Sequence, residues 1–307
     1  METSVYDLCA PSLERLLVHV LDAWPEHRTY LRERFDSETR QERRFSEIIA
    51  DKILRITAEN TERYARNYRW TCDRMKEEEF YFGVTGHYRH DSFEKVLETV
   101  YSDAAFMEAY TDGLLLSQLL WANHARSLEF YEREVLARIS SGASVLEVGP
   151  GHGLLLAMAA KRTGETVVGW DVSDGSITAT DRALRMLGIE RFSLHRQDLL
   201  APFQPAAFDL VVASELLEHL DRPEEALLRL LDATRAGGLL YVNVPVNSPA
   251  PDHITLWRTP EEALAFIEGS GAEIVRHLVS PMTGSTEQQA RAQQLTLSCA
   301  VLCRRPV

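Results

Sequence analysis

Residues 145–153 read VLEVGPGHG, a short apolar run that enters three glycines (Gly149, Gly151 and Gly153) and passes straight into an amphipathic segment. Glycine reaches backbone conformations closed to other residues, and the first N–H groups of a helix have no partner within it. A strand, a glycine turn and a helix in that order mark a ligand site at the carboxyl end of a strand in an open α/β sheet. A dinucleotide site uses GxGxxG; here the third glycine comes one residue early and Leu154 follows it. Glu147, two residues before the first glycine, repels a pyrophosphate and suits a cationic group. Asp171 ends the next apolar run, VVGWD, where an acid can accept hydrogen bonds from ribose hydroxyls. The loop therefore asks for an adenosine without phosphates, and NAD fits it poorly.

From residue 141 onward the rhythm is strand, turn, helix. Strands are expected at 144–148, 166–170, 192–195, 208–213, 239–244, 272–278 and 295–302, with helices at 153–163, 175–187, 222–235 and 259–269. Short β-rich runs alternating with amphipathic helices predict a mostly parallel sheet covered on both faces. The last two strands lack a crossover helix between them, which predicts an antiparallel pair at the sheet edge. Residues 1–140 have helical periodicity instead, at 12–23, 45–78, 92–101, 103–120 and 122–139, with a break at Gly83 and Gly86. Two units follow: a helical N-terminal cap or substrate-binding domain, 1–140, and an α/β domain, 141–307.

Composition narrows the function. The 307 residues are 45% hydrophobic with a net charge of -13, and acids exceed bases in both halves. No basic stripe is present, so nucleic acid is disfavoured as a partner. No apolar run is long enough to span a membrane, and the first residues lack a secretory signal, so a cytoplasmic location is expected. Four scattered cysteines (Cys9, Cys72, Cys299 and Cys303) form neither a disulfide framework nor a CxxC pair. No HxxxH or HxE pattern appears either, and the expected metal content is none. Arginine greatly outnumbers lysine, a bias that hints at a bacterial source.

These motifs together resemble the class I S-adenosylmethionine-dependent methyltransferases, over roughly residues 140–303. Glu147, Gly149, Gly151 and Gly153 match their ExGxGxG motif, with Pro150 inside the loop. Asp171 matches their second-strand acid, with Val172 beside it, and Asp198, flanked by Gln197 and Leu199, matches the Asp that contacts the adenine amino group. SELLEHL, from Ser214 and Glu215 to Leu220, is similar to the segment of small-molecule and quinone-type members, and Gly237–Gly238 precede the fifth strand. The resemblance implies a Rossmann-like seven-stranded sheet of order 3-2-1-4-5-7-6, with S-adenosylmethionine as cofactor and S-adenosylhomocysteine as product. The helical half resembles no named family.

On the acceptor side, loops at strand ends and glycine-broken aromatic segments are the candidates. Tyr81 and Tyr88 in FYFGVTGHYRH read as a lid. Trp121 and His124 lead into the α/β half, and Asn247 and Trp257 lie in the proline-rich segment after the fifth strand. His253 and then His219 are the candidate bases; His219 reads equally as a core or capping histidine, and His253 as a solvated one. The expected function is methyl transfer to a small, partly apolar metabolite in a specialised bacterial pathway such as antibiotic biosynthesis. A protein or carrier-bound acceptor, and a non-methylating cofactor-binding protein, are the alternatives. A homodimer is the candidate assembly.

Overall fold

The computed structural model describes residues 11–203 and 208–307, so Cys9 lies outside the described residues. Seven helices come first: α1 (Pro11–Ala23), α2 (Arg28–Phe35), α3 (Arg40–Thr57), α4 (Thr61–Thr85), α5 (Phe93–Val96), α6 (Ala104–Leu120) and α7 (Ala122–Phe130). Local chemistry sets their ends. A capping box opens α3, where Thr39 and Glu42 exchange side-chain and backbone bonds. Asp103 opens α6 by accepting from the Ala105 and Phe106 N–H groups. The expected break in the aromatic segment falls only at its second glycine: α4 runs through Gly83 and stops where Gly86 takes φ +72°. The helix expected over 122–139 loosens after Phe130 into a π turn and a 3-10 turn.

The α/β half follows as β1 (Val145–Val148), α8 (Leu154–Thr163), β2 (Val167–Asp171), α9 (Asp174–Met186), β3 (Phe192–Arg196), β4 (Phe208–Ser214), α10 (Pro223–Ala233), β5 (Thr234–Val246), α11 (Pro260–Glu268), β6 (Glu273–Pro281), α12 (Glu287–Gln293) and β7 (Leu297–Arg304). The sheet order is β3-β2-β1-β4-β5-β7-β6. β7 is antiparallel to both neighbours and the remaining pairs are parallel. The order and the antiparallel edge agree with expectation. The connection from β6 to β7 does hold a helix, the short α12, opened by a Thr286–Gln289 capping box.

Side-chain alternation along the strands builds two cores. Val145, Val167, Leu210, Val212 and Tyr241 face a cluster that also contains Leu16, Ile53, Tyr68 and Leu116 from the N-terminal helices. Leu146, Val211, Leu240 and Val301 face the opposite cluster, with Leu227, Leu230 and Ile267 from α10 and α11. The helical half thus shares one continuous core with a face of the sheet, and residue 140 marks a change of local rhythm within it. Polar ties reinforce the junction. Asn123 Nδ2 donates to Ser298 Oγ at 3.0 Å, and the Ala122 N–H and Tyr30 hydroxyl both donate to Thr283 Oγ1 at 2.9 Å.

Candidate active site

A cavity of about 480 Å³ lies where the ends of β1 and β4 meet α4, α6 and α7, a size that holds a metabolite. The glycine loop forms its floor. Gly149, Gly151 and Gly153 have φ of +70°, +52° and +75°, conformations that disfavour a side chain. A Cβ on Gly153 would meet Thr180 Cα at 3.1 Å, so this residue also lets α8 and α9 approach. The turn is braced by the Gly149 N–H donating to Trp170 O at 2.8 Å and by Thr180 Oγ1 donating to Gly151 O at 2.9 Å. Glu147, Gly149, Pro150 and Gly151 line the cavity. Glu147 is 2% exposed and its Oε2 has no partner. Burial, with the Asp171 charge added, pushes its carboxyl well above the usual carboxylate range. This buried acceptor is built for a cationic donor.

The other cofactor candidates occupy the ends of β2 and β3 and the loop beyond β4. The Asp171 carboxylate accepts from the Ser173 N–H at 2.9 Å and from Ser176 Oγ at 2.5 Å, so it ties down the start of α9 as well. Val172 beside it is 47% exposed. The Gln197 N–H donates to Asp171 O at 2.9 Å, Asp198 is exposed and accepts from the Leu200 N–H at 2.8 Å, and Leu199 is buried. Ser214 and Glu215 line the cavity; Gly153, Asp171, Val172 and the 197–199 group do not.

The turn after β4 holds a cluster of acids and histidines that opens onto the same cavity. The Ile254 and Thr255 N–H groups donate to Glu218 O at 2.9 Å and fold the segment after β5 back onto the turn after β4. His253 and His219 then stand edge to face, 4.9 Å between ring centroids. The Nδ1–H of His253 donates to Ser248 O at 2.7 Å and that of His219 to Asp252 O at 3.0 Å. Asp252 in turn accepts from the Tyr110 hydroxyl at 2.9 Å and the Tyr101 hydroxyl at 3.2 Å. Both His Nε2 atoms are left facing Glu218 Oε1, at 3.7 Å from His219 and 3.9 Å from His253. Glu218 is fully buried, and no N–H donor reaches either of its oxygens. Burial raises its carboxyl well above the usual range, and burial with the Asp252 charge pushes Glu215 up to about 8. Burial pushes His253 down to about 4, which makes it a weak proton acceptor rather than the near-neutral base its sequence position suggests.

The helical half supplies an aromatic wall. Trp24 stacks on His27 with centroids 4.0 Å apart, and His27 on Tyr30 at 4.5 Å. Trp121 Nε1–H donates to Tyr68 OH at 3.1 Å, and Trp121 and His124 both line the cavity. Four residues expected on the acceptor side lie elsewhere. Tyr81 sits under the Arg89 guanidinium, 4.4 Å from its ring. Tyr88 backs His253, its hydroxyl accepting from the Ser248 N–H at 3.0 Å. Asn247, at φ +46°, donates from Nδ2 to Arg258 O and shapes the loop, while Trp257 is core, packed on Phe266. Trp24, His27 and Tyr30 carry no sequence signal, because their segment WPEHRTYLRER is mostly polar and lies between the helices expected at 12–23 and 45–78. His152 and Glu218 stand inside the glycine loop and the ELLEH segment, so the motifs themselves mark their positions.

Residues 146–242 match the methyltransferase domain family. Methyltransferase GfsG of Streptomyces halstedii is 27% identical over 155 residues, 50% of this chain and 55% of that protein. A ubiquinone biosynthesis O-methyltransferase of Albidiferax ferrireducens is 28% identical over 163 residues (52% and 58%). A trans-aconitate 2-methyltransferase of Sinorhizobium fredii is 31% identical over 156 residues (49% and 58%). The chain spans a little over half the length of these curated relatives. In fold it is similar to phosphoethanolamine N-methyltransferase 2 of Haemonchus contortus, solved with S-adenosyl-L-methionine, at a TM-score of 0.52 and 15% identity over 71% of this chain and 61% of that one. Sheet order, glycine motif and sequence matches converge on one statement: residues 146–242 are a methyltransferase domain, set in a sheet of the class I methyltransferase strand order.

Proposed function

We propose that this protein transfers a methyl group from S-adenosylmethionine to a small-molecule acceptor held between the strand ends and the N-terminal helices. The observation that carries the reading is Glu147: a buried carboxylate with an unpartnered oxygen, under a left-handed glycine loop and open to the cavity. The cofactor's ammonium group supplies the missing donor, and Asp171 at the end of β2 takes the ribose hydroxyls. Transfer is an in-line displacement. The acceptor's lone pair attacks the methyl carbon, the carbon–sulfur pair returns to sulfur, and neutral S-adenosylhomocysteine leaves. An acceptor that carries a proton on its nucleophile gives it up to Glu215, whose carboxyl lines the cavity. Enclosure by α4, α6 and α7 excludes water and sets near-attack geometry.

A small acceptor is supported by the enclosed cavity and by the stacked Trp24, His27 and Tyr30 rings, which favour a partly apolar or ring-bearing molecule. The names of two relatives point to small molecules as well. A role in specialised biosynthesis is part of the same proposal. Calorimetric titration of S-adenosylmethionine and S-adenosylhomocysteine into wild-type and Asp171→Ala protein tests it. Micromolar binding weakened about tenfold or more by the substitution (about 1.4 kcal/mol) is expected; absence of binding to both ligands overturns the reading.

A further inference from the structure

We propose that Glu218, His219 and His253 form a divalent-cation site of the two-histidine, one-carboxylate kind, opening onto the cavity that the glycine loop also lines. The three ligand atoms lie within 4.8 Å of one another. Tautomer and orientation are set from behind. Each imidazole donates its Nδ1–H to a backbone carbonyl, Ser248 O or Asp252 O, which leaves both Nε2 lone pairs turned toward Glu218 Oε1. A histidine that binds a metal through one ring nitrogen and anchors the other on a carbonyl or carboxylate has this arrangement. The Asp252 carboxylate, 3.5 Å from His219 Nδ1, stands in the same outer ring, fixed by the Tyr101 and Tyr110 hydroxyls.

The second observation is Glu218 itself. It is fully buried, both its oxygens lack a donor, and it faces two nitrogen lone pairs and the carboxyl of Glu215. Acceptors turned on one another without a donor are costly. A divalent cation relieves all of them at once, and the two Glu218–histidine pairs, at 3.7 and 3.9 Å, need a closure of only some tenths of an ångström to share one ion. Imidazole with carboxylate selects zinc or a first-row transition ion over calcium or magnesium. The histidines line the cavity, so the open positions of the ion face the acceptor. Resting on the methyl-transfer reading above, this defines the acceptor class: the nucleophile is an oxygen, bound to the ion and made easier to deprotonate by it.

The test uses full-length protein stripped with EDTA, titrated with Co²⁺ under visible spectroscopy and with Zn²⁺ in a calorimeter. One equivalent bound at micromolar or lower concentration is expected, with d–d absorption of a nitrogen and oxygen ligand set. Glu218→Gln and His253→Ala, each checked for folding by circular dichroism, should weaken binding a hundredfold or more. No binding at millimolar ion, or binding that persists unweakened in either folded variant, overturns the site. If Glu218→Gln does not fold, His253→Ala with His219→Ala decides alone. Titration of S-adenosylmethionine into the stripped protein separates the two proposals: retained cofactor binding without metal binding leaves the methyl-transfer reading standing and removes this one.

Discussion

The two walls of the cavity are made of different chemistry. The floor, at the ends of β1 and β4, presents carboxyls and left-handed backbone: Glu147, Glu215 and the glycine loop. The opposite wall, from the helices, presents rings: Trp24, His27, Tyr30 and Trp121. In the floor Glu147 keeps an unpartnered oxygen because a parallel sheet with two packed faces holds it in place, while Glu215 accepts from Asn243 Nδ2 at 2.6 Å; on the proposed function, a cationic ligand recovers the stability given up at Glu147. The aromatic wall has the reverse balance. Trp24, His27 and Tyr30 are stacked in a row, and the Tyr30 hydroxyl and Trp121 Nε1 have partners within the protein, so this wall is stable without a ligand and offers shape. On the proposed function, commitment to one cofactor and adaptability toward an acceptor are divided between these two walls.

The largest effect should come from the loop. Gly153→Ala combines a left-handed backbone, about 1–2 kcal/mol, with a clash against Thr180 Cα, about 1–3 kcal/mol. Gly151→Ala meets nothing within 4 Å and carries only the backbone cost. Urea unfolding should therefore rank Gly153→Ala well below Gly151→Ala, and equal losses would mean that the floor is less rigid than its packing indicates.

Next in size is Glu147→Gln. Affinity for S-adenosylmethionine should fall by roughly tenfold to a hundredfold, the worth of a charge-assisted hydrogen bond of about 1.5–3 kcal/mol, while the melting temperature holds or rises. A variant that melts earlier and still binds tightly would make Glu147 structural and erase the contrast between the walls.

Trp121→Ala sharpens the comparison from the other side. With an acceptor in hand, its KM should rise about tenfold, near 1.4 kcal/mol, with cofactor affinity within twofold of wild type. Loss of both affinities together would join the two walls into one unit.

The last effect is on acid stability and appears only below neutral pH. Burial, with the nearby His152, lowers His124 to about 3. Its unfolded form takes up a proton near 6.5, so its contribution to stability is complete above that pH and is lost as pH falls from about 6.5 toward 3. His124→Gln should flatten the decline of the urea midpoint over that window, by at most about 1.4 kcal/mol per pH unit. A slope identical to wild type would show that His124 is not the buried neutral histidine the packing describes.

The motif residues were legible because their roles are local. Gly149, Gly151 and Gly153 answer to a turn of a few residues, Glu147 and Asp171 close neighbouring strands, and alternation along each strand predicts the sheet without reference to distant partners. Helix ends were legible wherever a glycine or a capping residue stood at the right place, and blurred where Gly83 sat inside a helix held by packing. Asn247 and Trp257, read as acceptor contacts, turned out to shape and bury their loop, because nothing in a loop sequence says which way a side chain faces.

The amino-acid sequence by itself determined the strand and helix rhythm, the glycine loop and the acids at the strand ends, since each depends on backbone freedom or side-chain period over short distances. Only the tertiary structure decided that Glu218 and His219 meet His253 from 34 residues away, and that a charged stretch near residue 27 becomes the cavity's aromatic wall. Those neighbours are created when α1–α7 close over the sheet and the segment after β5 bonds back to Glu218, and long-range contacts of that kind leave no periodic mark on the chain.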